Sequence, residues 1–250
     1  ISASWAAEIE RLRYRLYTVE AALTRTQNAR ERLANVQLCV LVPAFDDEAR
    51  CLDVVEQLAD AGVGMVQLRD KHCAARELVA RGRAIRKLLD ARVRSGVPAP
   101  LLIVNDRVDV AAAVRADGVH LGQDDLAPAD ARAALGPDVL IGVSTHCLAQ
   151  AEQAALDGAD YLGVGPTFPS RTKQFDDFAG LAYLRAAAES IALPWFAIGG
   201  ISRDTLDQAV ACGAARVAVG HAVVAAAEPG DVARELGKRL AAVRNRETPS

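Results

Sequence analysis

The sequence predicts an α/β chain folded as a closed (β/α)8 TIM barrel with an extra amphipathic helix at its N-terminus. Three observations carry that expectation. From about residue 37, short β-rich runs alternate with longer alanine-rich helical stretches, and βα alternation builds a parallel sheet with right-handed crossovers. About eight such units fit the 250 residues, which favours a closed barrel over an open doubly wound sheet. A short repeat, "DAGVGMVQL", "RADGVHLG", "LDGADYLGVG" and "ACGAARVAVG", places a glycine before a small residue and a β-run each time. Gly62, Gly118, Gly158 and Gly213 are expected just past a helix C-terminus, where positive φ turns the chain into the next strand.

The elements follow in order. Residues 1–35 stand apart: Trp5, Ile9, Leu12, Leu16, Val19 and Leu23 recur at alternating spacings of three and four, which predicts an amphipathic helix of heptad type. It packs on the barrel's outside or on a twin subunit, or it links to a domain upstream of Ile1. A basic membrane-surface helix fits least, because Glu8, Glu10 and Glu20 offset Arg11, Arg13 and Arg15. The barrel domain is expected over residues 36–245, with a disordered tail at 246–250. Its strands are predicted at Val36–Val42, Met65–Arg69, Leu101–Asn105, Gly118–Leu121, Val139–Val143, Tyr161–Val164, Trp195–Ile198 and Arg216–Val219. Helices are expected at 49–61, 73–94, 147–157, 178–190, 202–211 and 231–244, with shorter ones at 107–115 and 128–135.

Composition narrows the function. The net charge of −3 offers no domain-wide basic excess for nucleic acid. No apolar run approaches the ~20 residues of a membrane span, and no signal peptide is evident. The five cysteines, Cys39, Cys51, Cys73, Cys147 and Cys212, are scattered without a CxxC pair, so free buried thiols in a reducing cytoplasm are expected.

The polar residues collect at the C-terminal ends of the predicted strands. Gln67, Arg69 and Lys71 close the second at every second position, which in a strand turns them to one face. Asn105-Asp106 closes the third. Gln123, Asp124 and Asp125 follow the fourth, Ser144-Thr145-His146 the fifth, and Ser170, Thr172 and Lys173 the sixth. Gly199-Gly200 and Gly220-His221 end the last two. In a parallel barrel these ends share one rim, where the βα loops build the active site.

Arg69, Lys71 and Lys173 offer three cations to one highly charged anion. Asp106 and Asp125 beside them suggest Mg2+, a hard ion that commonly bridges protein carboxylates to substrate phosphates. Gly199-Gly200 and the Gly220-His221 turn present backbone N–H groups at the usual phosphate pocket of such barrels. Two anion sites, and hence two phosphorylated substrates, are expected. Each piece has a plainer reading: Asp-Asp after glycine makes turns, Gly-Gly makes tight connections, and "QLRDK" suits a charged edge strand. His72 and His146 read as loop or capping residues, and His120 as a hydrogen-bonded interior residue.

The ordered runs "VQLRDK", "VNDRVDVA", "DGVHLGQDDL", "GVSTH", "DYLGVGPTFPSRTK" and "FAIGGI" resemble the thiamine-phosphate synthase family across residues 37–225. The resemblance implies a barrel that joins an aminopyrimidine methyl diphosphate to a thiazole ethyl phosphate, releasing pyrophosphate. It implies that Gln67, Arg69, Lys71, Asn105, Ser144 and Lys173 bind the pyrimidine diphosphate, with Arg69, Lys71, Ser144 and Lys173 serving the chemistry. Asp106 and Asp125 would hold Mg2+. Ser170, Thr172, Gly200 and the backbone of Gly220 and His221 would hold the thiazole phosphate. Two departures stand out, Ser170 where the family often has Thr and His221 where Ser is common. Two other readings remain: a related barrel that isomerises a thiazole phosphate, in which a His would replace Pro166, and a non-catalytic phosphate-sensing barrel. The implied partners are small molecules, with no nucleic acid or membrane. A homodimer mate or an upstream domain would meet the N-terminal helix.

Overall fold

A computed structural model describes residues 13, 24, 26–168 and 179–247, the last five of these through their backbone alone. The chain divides into two compact units, Ile1–Ala34 and Asn35–Ser250. In the first, residues 26–33 are helical, and Gln27 Nε2 donates to Glu31 Oε1 one turn on at 2.7 Å. The expected apolar stripe from Trp5 to Leu23 lies outside the described residues.

The second unit alternates strand and helix throughout. Its strands are β1 (Leu38–Val42), β2 (Met65–Leu68), β3 (Leu101–Asn105), β4 (Gly118–Leu121), β5 (Leu140–Thr145), β6 (Tyr161–Val164), β7 (Trp195–Ile198) and β8 (Val217–Val219). Between and after them lie α1 (Glu48–Asp60), α2 (Ala75–Arg94), α3 (Val108–Val114), α4 (Pro128–Leu135), α5 (Leu148–Leu156), α6 (Gly180–Ser190), α7 (Leu206–Val210), α8 (His221–Val224) and α9 (Pro229–Glu247). All strands pair in parallel with their sequence neighbours, and β8 closes onto β1. The expected (β/α)8 barrel is what forms.

Alternation along each strand sorts the side chains into two cores. Val40, Val66, Leu68, Leu102, Val104, Val119, Ile141, Leu162, Ala197 and Val217 join one apolar cluster with helix residues such as Leu58, Ile85, Leu89, Val114, Leu184 and Leu236. That cluster is the layer between sheet and helices. The alternate positions, Cys39, Met65, Gln67, Ile103, His120, Tyr161 and Phe196, are equally buried yet outside the cluster, so they fill the barrel's interior. The Tyr161 ring meets Phe196 edge-on at 5.7 Å and His120 at 5.5 Å. Glycine makes this filling possible, since a Cβ at Gly142 would lie 2.2 Å from Tyr161 Cζ.

Aspartates secure the opposite end of the barrel. Asp117 Oδ2 accepts from the Leu102 N–H at 2.8 Å and pairs with Arg86; Asp160 Oδ2 accepts from the Ile141 N–H at 2.8 Å and pairs with Arg132. Each thus ties a strand's entrance to its neighbour and to a helix.

Several boundaries differ from expectation. Val36, Gln37, Arg69, Val139 and Arg216 fall outside strands, Ser144-Thr145 falls inside β5, and α9 continues to Glu247. Gly62, Gly158 and Gly213 do take positive φ, of 82°, 90° and 93°. Gly118 does not: Arg115 ends α3 in the left-handed conformation at φ 53°, and Gly118 is already the first residue of β4. There its missing Cβ makes room for Ile103 and Leu140. Of the cysteines, all free, Cys39, Cys51 and Cys212 are buried, but Cys73 is half-buried and Cys147 exposed because both lie in loops.

Candidate active site

The inward positions change from apolar to polar towards the strand C-termini. Met65 gives way to Gln67, Ile103 to Asn105, Leu140 and Gly142 to Ser144. Gln67 is 3% exposed despite its amide, deep at the floor of the mouth.

Beyond Leu68 the chain leaves the sheet, so Lys71 does not continue the strand alternation expected of it. The Arg69 N–H still donates to Val42 O at 2.8 Å. Asp70 then folds the loop: its Oδ1 accepts from the His72 and Cys73 N–H groups at 2.9 Å, and its Oδ2 from the Ala44 N–H at 3.3 Å. Burial works to raise the Asp70 carboxyl, but these N–H donors prevail and hold it below its ordinary range. The turn brings Lys71 Nζ to 3.4 Å from Asp106 Oδ2.

Asp106 follows β3 at φ 59°, a left-handed conformation that Asp tolerates better than most residues. Its N–H donates to His120 O at 2.8 Å, which fixes the turn against β4. After β4, Asp125 folds back so that its Oδ2 accepts from the Gly122 N–H at 2.7 Å. Asp125 thereby lies near enough to Asp106 for the two carboxylates to interact. Burial and this second carboxylate push the Asp106 carboxyl up, opposed by Lys71. Two close carboxylates with one ammonium leave a deficit of positive charge. Among the described residues no group of three or more His, Cys, Asp or Glu forms a metal cage. A pair of carboxylates instead suits Mg2+, which keeps waters and substrate phosphates in its shell.

Ser144 is held at both ends. Its Oγ lies 2.9 Å from His120 Nε2, and its carbonyl accepts from Gln123 Nε2 at 2.6 Å. His120 Nδ1 in turn lies 3.3 Å from Tyr161 Oη. Burial, then Arg69, depress His120 to about 4 against the pull of Asp125, so its ring is neutral. Arg69 and Asp125 therefore lie close enough to the ring to act on it electrostatically. His120 is the hydrogen-bonded interior residue expected, and it faces the mouth. His146 is a bridging residue, its Nδ1 2.6 Å from Gly165 O, and His72 lies in the exposed β2 loop.

At the last strand ends, Gly199 and Gly200 both take positive φ, 96° and 67°. Side chains there would run into Pro166 and Phe168, whose segment docks through Thr167 N–H to Ile198 O at 2.9 Å and Phe168 N–H to Gly199 O at 3.0 Å. The Gly-Gly pair is thus a tight connection in its own right. Thr205 Oγ1 also donates to Gly200 O at 2.9 Å. Gly220 precedes α8, and its carbonyl accepts from the Val223 and Val224 N–H groups; His221 opens that helix with an exposed side chain.

Lys71 thus pairs with Asp106, which Asp125 crowds, and Ser144 bonds His120, whose ring feels Arg69 and Asp125; Gln67 and Asn105 lie on the inner face of the adjoining strands, and Gly200 and Gly220 at neighbouring strand ends. Ser170, Thr172 and Lys173 lie outside the described residues. Sequence reasoning missed Tyr161 as the partner behind His120. The signal was there in two glycines, Gly142 facing Tyr161 across the β5–β6 pair and Gly163 beside the His120 ring.

Comparison with known proteins places this arrangement. Residues 38–223 match the model of the thiamine monophosphate synthase family. The thiamine-phosphate synthase of Gloeobacter violaceus is 46% identical over 94% of this chain, and that of Shouchella clausii 43% identical over 70% of this chain and 81% of its own length. The chain spans 66% of the Gloeobacter protein, just under two thirds. Among solved structures, the thiamine phosphate pyrophosphorylase of Pyrococcus furiosus is 33% identical and superposes with a TM-score of 0.72, covering 84% of this chain and 97% of that one. A 3-hexulose-6-phosphate synthase, 21% identical with a TM-score of 0.57, shares the fold. With three quarters of its length matched by the family model and its polar residues gathered at the barrel mouth, the chain belongs to the thiamine monophosphate synthase family.

Proposed function

We propose that the barrel couples 4-amino-2-methyl-5-(diphosphooxymethyl)pyrimidine with 4-methyl-5-(2-phosphoethyl)thiazole, giving thiamine phosphate and pyrophosphate. The observation that carries this reading is the Lys71–Asp106–Asp125 group at the barrel mouth, a cation-seeking carboxylate pair with a single ammonium beside it. Such a mixture suits a diphosphate that arrives with a divalent metal.

The reaction breaks the bond between the pyrimidine methylene and the diphosphate oxygen and forms one from that carbon to the thiazole nitrogen. The electron-rich aminopyrimidine stabilises positive charge on the methylene, so departure of the diphosphate precedes attack. Asp106 and Asp125 would hold Mg2+, which supplies charge neutralisation for the leaving group. Arg69 and Lys71 would bind diphosphate oxygens, with Lys173 expected to join them. Gln67 and Asn105 would orient the pyrimidine, and Ser144 would add a hydroxyl contact. Gly200, with the amides of Gly220 and His221 and the hydroxyls of Ser170 and Thr172, would hold the thiazole phosphate in line with the methylene. No group need abstract a proton from either substrate, which accords with a mouth whose histidine is neutral and already bonded on both nitrogens.

No described helix is long and apolar enough to cross a membrane. Free thiols accord with work in the reducing cytoplasm, where we place the enzyme. The first unit, Ile1–Ala34, would meet a second copy or an upstream domain. A pyrophosphate-release assay with both substrates, with and without Mg2+, tests the reading. Metal-dependent release that requires both substrates supports it. Turnover of the thiazole phosphate alone would favour the isomerase, and diphosphate binding without turnover the sensing barrel.

A further inference from the structure

Three hydroxyl and imidazole groups form a line through the barrel interior, from Tyr161 on β6 through His120 on β4 to Ser144 on β5. We infer that this line is a directional relay in which Tyr161 and His120 are positioning residues that hold Ser144 as a hydrogen-bond donor to the pyrimidine diphosphate. The inference rests on the proposed function and adds to it the polarity of one contact.

The direction follows from counting donors. A neutral imidazole carries one N–H, so its two nitrogens play opposite roles. Burial keeps the Tyr161 phenol protonated, and among the described residues its hydroxyl meets a single partner, His120 Nδ1 at 3.3 Å. If Nδ1 carried the hydrogen, the phenol would accept and its own proton would be stranded in the interior, at the desolvation cost of an unmade bond. The phenol therefore donates to Nδ1. The hydrogen of His120 must then sit on Nε2, which donates to Ser144 Oγ at 2.9 Å.

With that lone pair engaged, the Ser144 O–H points elsewhere. The Ser144 residue is half-buried at the mouth, and its carbonyl is already clamped by Gln123. The hydroxyl thus presents a proton to the substrate and seeks an acceptor, a diphosphate oxygen or a ring nitrogen. The packing is built around the line: a Cβ at Gly142 would occupy the Tyr161 ring, and one at Gly163 would lie 3.2 Å from His120 Cε1.

The full chain labelled with 15N-histidine tests the direction without any substrate. Of its four histidines, His120 should show the Nε2–H tautomer. Tyr161→Phe keeps the ring and removes only the donor; it should give mixed tautomers, lower kcat for pyrophosphate release roughly tenfold, about one hydrogen bond, and leave the KM for thiazole phosphate unchanged. Adding Ser144→Ala to Tyr161→Phe should cost no more than Ser144→Ala alone, and His120→Gln should retain more activity than His120→Leu. An Nδ1–H tautomer in the unmutated protein overturns the relay, as does a Tyr161→Phe enzyme with unchanged kcat beside an impaired Ser144→Ala. Absence of turnover in the unmutated enzyme would defeat the proposed reaction, while the tautomer result still decides the hydrogen-bond direction.

Discussion

Lys71 Nζ lies 3.4 Å from Asp106 Oδ2, spanning the gap between the β2 loop and the end of β3. The lysine is half exposed and the carboxylate largely covered, so the ammonium is the member of the pair that a substrate at the mouth can reach. In the free protein Lys71 partly neutralises a carboxylate that Asp125 crowds.

Replacing Asp106 should therefore separate function from stability. Asn tolerates the left-handed backbone at φ 59° better than Ala does, so Asp106→Asn is the cleaner variant. It removes one carboxylate of the Mg2+ pair and relieves repulsion with Asp125. Pyrophosphate release is expected to fall on the order of 10²–10³, with the melting temperature held or slightly raised. Near-normal turnover in the steady-state assay would count against Asp106 as a metal ligand.

Gly142→Ala tests the interior packing. The added methyl would overlap the Tyr161 ring, whose Cζ lies 2.2 Å from that position, and the ring is wedged against Phe196. Overpacking of this kind costs about 1–3 kcal/mol, so the urea midpoint should drop clearly. An unchanged midpoint would mean that Tyr161 does not occupy this space.

The two kinds of ion pair should differ in worth. Asp160 is 5% exposed and serves both Arg132 and the Ile141 N–H, so Asp160→Ala leaves a mostly buried guanidinium and an orphaned amide. A loss of about 3–5 kcal/mol is expected. The Arg107–Asp109 pair is largely exposed, and Asp109→Ala should cost under about 1 kcal/mol. Equal losses in chemical denaturation would contradict this ranking.

How much of this was legible from the chain depends on how local each cause is. The rhythm of β-run, helix and glycine exposed the barrel because both periodicities repeat within a few residues. Rim residues such as Asn105-Asp106 followed directly, since parallel strands send their C-termini to one side. The geometry of Lys71 did not follow. Gln67, Arg69 and Lys71 alternate as in a strand, but Asp70 captures two following N–H groups and ends β2 at Leu68. An aspartate two residues after the last strand position was the unused signal. Gly118 misled for the opposite reason, being needed for space and not for φ. The Tyr161–His120 contact joins residues far apart in sequence, and only closure of the sheet brings them together.

His120 should make stability depend on pH. Its imidazole titrates near 6.5 in an unfolded chain but near 4 in the fold, where burial and Arg69 oppose the proton and Asp125 only partly compensates. Tyr161 and Ser144 occupy its two nitrogens and remain uncharged. Between those values the unfolded state binds more protons than the native state, so stability rises with pH. This contribution is complete above about 6.5 and is lost as pH falls towards 4, an effect on the order of 3 kcal/mol. Urea titrations of the unmutated protein and His120→Gln at pH 7 and 4.5 give the measurement, because the shared carboxylates cancel in the difference between their slopes. The unmutated protein should lose more stability on acidification. Parallel pH dependence in the two proteins would show that His120 is not held neutral by the interior, and the buried line from Tyr161 to Ser144 would lose its middle member.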